Sequence, residues 1–390
     1  MIELRKEPVK PRVLLALEPE KYHAVQALSS SIIRKYEEDY NGCPLKAKHS
    51  IEGGDQEPTQ AMEFGTSLHA LILEPDYFDK HFAIMDDAVL EPIFEESKRA
   101  EIEASNYLQH ETYDSYQEAG LRGFTSMGLT KKLVAELEHA PKAEDWSRIY
   151  AAVREEAISK ASYAKCANYE EFAAQDGKLH ACKAFKRWYA ESKEKGLEVV
   201  KPAQLEKLRG MQQSLRANAD VMEHIDISAA VTELSLFATI PVTVDQVQWH
   251  LPVKARLDWY FDEGDILDLK SARSAGRVQF SRQCAGAGYD RQAAWYWFVA
   301  RQCGLDVRSF GFLACESEAP YLSTIHEMPL EWIEYSHSRN LITAVEVARS
   351  IAHNDWPGIP SGMMLPPSYL ETIIDEWALN GSKSLTKKAN

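Results

Sequence analysis

The chain has 390 residues, 45% of them hydrophobic and 26% charged, with a formal net charge of −15. That length holds one large domain or two ordinary ones with ample core, and the composition is that of an ordinary globular protein. The acidic balance argues against a protein that coats nucleic acid through a basic surface, but leaves room for basic residues lining an internal channel.

No apolar run approaches the length of a membrane span, and Met1 to Glu7 lacks the apolar core of a signal peptide. Cys43, Cys166, Cys182, Cys284, Cys303 and Cys315 are scattered without a CxxC pair. This spacing argues against zinc, iron–sulfur and disulfide frameworks, and a reduced cytoplasm is the expected compartment.

In chain order, residues 1–20 carry prolines and no periodicity, and read as an irregular arm. A helix is expected from Ser29 to about Tyr36, with serines available as N-caps. The run from Met62 to Glu74 reads as a strongly apolar helix stopped by Pro75. It forms part of an N-terminal helical section, 21–85. Residues 86–200 are charge-rich and helical in period, which suggests a helical insertion or subdomain. Pro202–His224 reads as one amphipathic helix, with Leu205, Leu208, Met211, Leu215 and Val221 near one stripe. It opens a core at 201–352.

Strand signals begin at Val231. Thr232 to Phe237 alternates, Pro241–Trp249 continues the pattern, and a hairpin follows. From Val253, residues Ala255, Leu257, Trp259 and Phe261 alternate with Lys254, Arg256, Asp258 and Tyr260. The turn Phe261-Asp262-Glu263-Gly264-Asp265 leads into Ile266-Leu267-Asp268-Leu269-Lys270. Gln279–Cys303 reads as a helix, Ser309–Cys315 and Tyr321–Met328 as strands, and Leu330–Ile351 as a closing helix. Residues 353–390 form a C-terminal extension with a frayed end. The element order specifies an α/β fold with a mixed sheet.

If Tyr260 pairs with Ile266, Asp258 lies directly opposite Asp268, with Cβ atoms about 4.5–5.5 Å apart, where like charges destabilise. A hard divalent cation held by both carboxylates removes that penalty, and Lys270 then orients water and stabilises negative charge. A D…DxK pattern alone is more often a solvated, salt-bridged hairpin face. Tyr289, Gln292 and Tyr296 fall at i, i+3 and i+7 on one helix face, either an aromatic core stripe or a polar contact surface. His69 stands on the apolar helix with Gly65 one turn earlier, where a satisfied core histidine is the commoner outcome. Glu233 is by default a salt-bridging residue.

Taken in order, the pieces Gly65-Thr-Ser-Leu-His69-Ala-Leu-Ile-Leu-Glu-Pro75, Glu233-Leu-Ser-Leu-Phe237, Ala255-Arg-Leu-Asp258-Trp, Ile266-Leu-Asp268-Leu-Lys270-Ser and Tyr289…Gln292…Tyr296 carry a likeness, as does Tyr22-His23-Ala24…Leu28-Ser-Ser-Ser31. The chain resembles the RecB-like branch of the PD-(D/E)XK nucleases, most closely the exonuclease VIII (RecE-type) group of prophages. The likeness spans about 20–85 and 180–330. Lys270-Ser271-Ala272 stands where the family usually has Lys-Thr-Thr.

The resemblance implies a PD-(D/E)XK restriction-endonuclease-like core, a central mixed sheet flanked by helices, with a helical insertion. It implies Mg²⁺, with Mn²⁺ able to substitute, held by His69, Asp258, Asp268 and the Leu269 carbonyl. Glu233 either ligates a second ion or orients the first. Lys270 would position water, and Gln292 and Tyr296 would contact the DNA backbone. Tyr289, Lys254, Arg256, Arg273, Arg277, Arg282 and Arg291 are further DNA-contact candidates. The implied activity is 5′→3′ digestion of linear duplex ends to leave 3′ single-stranded tails for recombination. A ring-shaped homo-oligomer and a single-strand-annealing recombinase partner would go with it, in a bacterial or phage-encoded cytoplasmic protein. Alternatives are a RecB-like endonuclease, an inactive DNA-binding protein on the same fold, or an acidic mimic of DNA.

Overall fold

The computed structural model describes residues 2–37, 42–54, 59–108, 112, 114, 132–137, 139–160, 168–174, 182–224, 230–359 and 361. The frame is a six-stranded sheet built from β1 (Arg12–Leu14), β4 (Ala230–Val244), β5 (Val247–Phe261), β6 (Asp265–Ala272), β7 (Ser309–Glu316) and β8 (Ser323–Glu327), in that spatial order. Only β6 and β7 run parallel; the other neighbours are antiparallel. A separate two-stranded parallel ribbon joins β2 (Phe82–Ile84) to β3 (Glu198–Val200). This is the mixed sheet expected from the order of strand and helix signals.

Helices cover both faces because the strands are apolar on both. β7 alternates cleanly: Phe310, Phe312 and Ala314 join one buried cluster, and Leu313 and Cys315 join the other. The first cluster contains Trp295 and Val299 of one helix (Tyr289–Gln302) and Ala344, Val347 and Ala348 of the long closing helix (Leu330–His353). The second contains Leu68 and Leu73 of the His69 helix (Gln60–Leu73) and Leu205, Leu208, Met211 and Leu215 of Pro202–Ala217. The His69 helix ends at Leu73 because Pro75 cannot continue it and instead opens the next helix, Pro75–His81.

Two expected helices are each broken in two. Gln279–Cys303 divides at Gly288, whose φ of 70° ends Arg277–Ala287 and starts Tyr289–Gln302. Pro202–His224 divides at Asn218, whose side chain donates to the Ser323 carbonyl and accepts from the Val221 N–H. The arm expected to be irregular is partly a strand: Arg12–Leu14 pairs with β4, and Ile2 is buried. Within 86–200 the described residues are mainly helical, Asp87–Leu108, Ala143–Lys160, Tyr169–Ala174 and Lys183–Glu194. Leu90, Ile93, Phe172 and Phe185, joined by Met85 just before it, give that section a buried cluster. Among the described residues no helix is long and apolar enough to cross a membrane.

Arg291 ties three helices together. Its guanidinium is buried, donates to both Glu37 oxygens beyond Ser30–Tyr36, and donates through Nε to Asn340 of the closing helix at 2.8 Å. The Asn340 amide returns a bond to the Arg291 carbonyl. Removing one member of a buried ion pair strands the other. Arg291→Met should therefore cost about 3 kcal/mol in urea unfolding; a loss within ~0.5 kcal/mol, as at an ordinary surface site, would contradict this role.

Candidate metal centre

The sheet forks between β5 and β6. Trp259 pairs with Leu267 and Tyr260 with Ile266, and the ladder goes no further. β5 remains joined to β4, while all of β6 stays joined to β7. The Tyr260–Ile266 register places Asp258 opposite Asp268 at the first position past the ladder, as the hairpin spacing required. Here the Leu269 N–H, which would have continued the ladder, donates to Asp258 Oδ2 at 2.7 Å. The Leu269 carbonyl lies 2.9 Å from His69 Nε2. A carboxylate and an imidazole thus replace a strand neighbour at the crotch of the fork.

Glu233 enters from β4. Its neighbours Thr232 and Leu234 pair with Trp259 and Leu257, so Glu233 stands across from Asp258. Its φ is 52°, a left-handed conformation costly for a residue with a side chain and met where a site demands it. The ligand atoms of His69, Glu233 and Asp258 all lie within 4.8 Å of one another. Asp268 stands beside this trio, ion-paired with Lys270 Nζ. Neither Asp268 oxygen, both buried, has an ordinary directed hydrogen bond, so this contact is one of charge.

The electrostatics follow from burial. Asp258 is pushed well above the carboxylate range by desolvation and then by the charge of Asp268. Burial, followed by Asp258, raises Glu233 to about 7. Burial and then Lys270 lower His69, leaving a neutral imidazole. Burial works against the Lys270 ammonium, but Asp268 and Asp258 outweigh it and hold the amine protonated above the usual lysine value. The Tyr289 ring packs on that ammonium, its centroid 5.0 Å from Nζ.

A divalent cation fits this donor set for a specific reason. Neutral His69 has one N–H and one lone pair, but both ring nitrogens face acceptors: the Leu269 carbonyl at 2.9 Å and Asp258 Oδ2 at 3.5 Å. While Asp258 is ionised, whichever nitrogen carries the proton, the other contact sets lone pair against lone pair. A cation held by this donor set would supply the missing positive charge and keep Asp258 ionised. Oxygen and imidazole donors suit Mg²⁺ or Mn²⁺, and ligands across a Mg²⁺ ion stand about 4.2 Å apart, close to the spread of the trio.

Two cavities flank the cluster. One, of about 1030 Å³, is lined by His69, Leu269, Lys270, Arg273, Arg282 and Tyr289 among others. The second, of about 570 Å³, includes Tyr22, Ser29, Arg34, Lys254, Gln292 and Tyr296 in its wall. Gln292 Nε2 donates to the Tyr296 hydroxyl at 2.8 Å, which leaves the tyrosine's own hydrogen for another acceptor. Burial raises the Tyr296 hydroxyl well above its ordinary value, so it stays protonated.

The structure thus brings together His69, Glu233, Asp258, Asp268, Leu269, Lys270, Tyr289, Gln292 and Tyr296, with Arg273 and Arg282 beside them. Three basic residues expected to contact DNA do not fit that expectation. Arg291 is enclosed with Glu37 and Asn340. Arg256 is held by Glu233 and by Glu74 Oε2 at 3.4 Å. Lys254 donates to the carbonyls of Tyr22, His23 and Val25, fastening the wall of the smaller cavity. Each is claimed by a partner distant in sequence. Arg277 is exposed on the first turn of its helix and lines neither cavity. A Cβ on Gly65 would meet open space in the larger cavity rather than the imidazole. Lys207, also on that wall, and Glu74 carried no separate signal in the sequence reading, although Glu74 lies inside the Leu-Glu-Pro75 motif.

Glu233 gives the centre a pH signature. The folded carboxyl holds its proton more tightly than the unfolded one, so the native state binds more protons and stability falls as pH rises from about 4.5 to about 7. The loss is on the order of 3 kcal/mol. In EDTA, Glu233→Gln should gain stability over the parent progressively across that window, measured by urea unfolding. A difference independent of pH would contradict the assignment.

Residues 193–359 match the model of a PDDEXK-like domain of unknown function (DUF3799). The match takes in β4 to β8 and the helices Pro202–Ala217, Tyr289–Gln302 and Leu330–His353, and leaves β1 and the His69 helix outside. No curated protein matches the chain. Among solved structures, a "Putative exonuclease" from Eubacterium rectale is similar at 10% identity, covering 92% of this chain and 98% of its own, with a TM-score of 0.44. SSO0001 is similar at 14% identity, covering 60% of this chain and 88% of its own, with a TM-score of 0.23. The forked mixed sheet with helices on both faces, together with the family match over its core, is the PD-(D/E)XK fold.

Proposed function

We propose that this protein is a Mg²⁺-dependent deoxyribonuclease that hydrolyses phosphodiester bonds, and that it acts as a 5′→3′ exonuclease on linear duplex DNA. One observation carries the reading. In a chain with 59 Asp and Glu residues, neither cavity beside the carboxylate cluster has a carboxylate in its wall among the described residues. The walls instead hold Lys207, Lys270, Arg273 and Arg282 on one side and Arg34 on the other, where Lys254 is already tied to backbone carbonyls. The described carboxylates nearest these spaces lie in the cluster rather than in the walls, and the basic walls suit a polyanion.

In this reading His69, Glu233 and Asp258, whose donor atoms lie within 4.8 Å of one another, would hold the cation, with Asp268 beside them. The bound cation supplies positive charge to the phosphoryl oxygens and acidifies water at the site. Lys270, steadied by Tyr289 and Asp268, orients the attacking water and meets negative charge developing on phosphorus. Tyr296 and Gln292 donate to the phosphate from the other side. Arg273 and Arg282 take the flanking backbone. Direction of digestion and production of 3′ tails for recombination come from the sequence resemblance.

The test uses end-labelled linear and covalently closed circular duplex, with Mg²⁺ or EDTA. Linear DNA should be degraded from 5′ ends only with Mg²⁺, and Asp268→Asn should be inert. Lys270→Ala should retain DNA binding within about threefold while losing at least a hundredfold in cleavage, the scale of a removed transition-state donor. Full activity of Asp268→Asn would sink the assignment. Loss of closed circles would make the enzyme an endonuclease.

A further inference from the structure

The side chains of the trio come from three different elements: His69 from the helix Gln60–Leu73, Glu233 from β4 and Asp258 from β5. We propose that Arg256 is the positioning residue that holds them at the spacing an ion requires, orienting Glu233 while anchored at its far end to Glu74. The proposal rests on the reading of the trio as a metal centre, and adds what aligns its ligands.

Arg256 stands on the same strand as Asp258, the next residue but one, so its backbone moves with that ligand. Its Nε donates to Glu233 Oε2 on β4, and its Nη2 reaches Glu74 Oε2 at 3.4 Å. Glu74 is the C-terminal cap of the His69 helix. One planar guanidinium therefore links the strand of Asp258 to Glu233 and to the end of the helix that carries His69. The Tyr22 ring packs on it, the ring centroid 5.8 Å from Cζ, and only a tenth of the side chain is exposed.

Glu233 is the ligand that needs holding. It stands across from Asp258, where like charges repel, and its φ of 52° is a left-handed conformation that costs a residue with a side chain free energy. The guanidinium opposes both, by offsetting one charge of the facing pair and fixing the carboxylate with a charge-assisted bond. A lysine in its place would keep the charge but lose the fork, because an ammonium is a point charge on a flexible stem. Charge and positioning are thus separable. Arg256 touches no reacting atom, and losing a group that orients a metal ligand costs about 10–100-fold in affinity.

The test is the Mn²⁺ dissociation constant of the full chain, from equilibrium titration with free Mn²⁺ read by electron paramagnetic resonance, without DNA. Arg256→Lys should weaken binding by about tenfold or more while staying folded by circular dichroism. In a Glu233→Ala background the same substitution should cost no more than about twofold, because the carboxylate it positions is gone. Arg256→Lys binding within about twofold of the wild type would overturn the proposal, and so would equal losses in the two backgrounds, the mark of a general effect on fold or field. If Arg256→Lys does not fold, the anchor decides: Glu74→Ala should bind about tenfold more weakly than Glu74→Gln, which keeps an oxygen for Nη2, and equal constants would overturn the proposal. A wild type that binds no Mn²⁺ would instead remove the metal reading of the trio itself, and the proposal with it.

Discussion

The centre depends on the Asp258 carboxylate accepting the Leu269 N–H in place of a strand neighbour. β5 and β6 share two paired residues and then part, which exposes backbone groups of a buried central strand. Leaving such a donor unsatisfied costs about 1–3 kcal/mol. Asp258 covers the N–H and His69 approaches the carbonyl, so both are placed by the backbone bonds they complete. That fixes them within reach of Glu233 and Asp268 and forces acceptors to face one another. The same geometry that closes the fork therefore creates a demand for a cation.

Charge repulsion of this kind is tolerated because the frame around it is strong. The helices bearing Trp295 and Leu68 pack opposite faces of the sheet, and Arg291 locks the first of them to the closing helix. The cost is concentrated in Asp258, Glu233 and the left-handed backbone at Glu233. The net charge of −15 concerns the molecule as a whole and says little of the field inside. Among the described residues, both cavities beside the cluster have walls without carboxylates.

Much of this was legible in the sequence, and the remainder was hidden for physical reasons. Alternation from Val253 to Phe261 and the Gly264 turn gave a hairpin in which Asp258 opposes Asp268 if Tyr260 pairs with Ile266, and that pairing is the one found. Spacing on one helix also gave Tyr289, Gln292 and Tyr296. Local pattern could not show which basic side chains are already occupied. Arg291 pairs with a carboxylate 254 positions away, and Arg256 with one 182 away. Nor does the sequence around Glu233 carry glycine or asparagine to signal a positive φ. Gly288 was such a signal, but inside a helical pattern an isolated glycine is readily absorbed. The N-terminal strand was missed because its three residues are too few to show a period.

The most direct test of the central claim is unfolding stability with and without Mn²⁺, since an ion that binds only the folded fork must stabilise it. At a hundredfold excess over the dissociation constant the account predicts a gain of about 2.7 kcal/mol for the wild type, lost in His69→Ala. Identical unfolding curves with Mn²⁺ and with EDTA would contradict it.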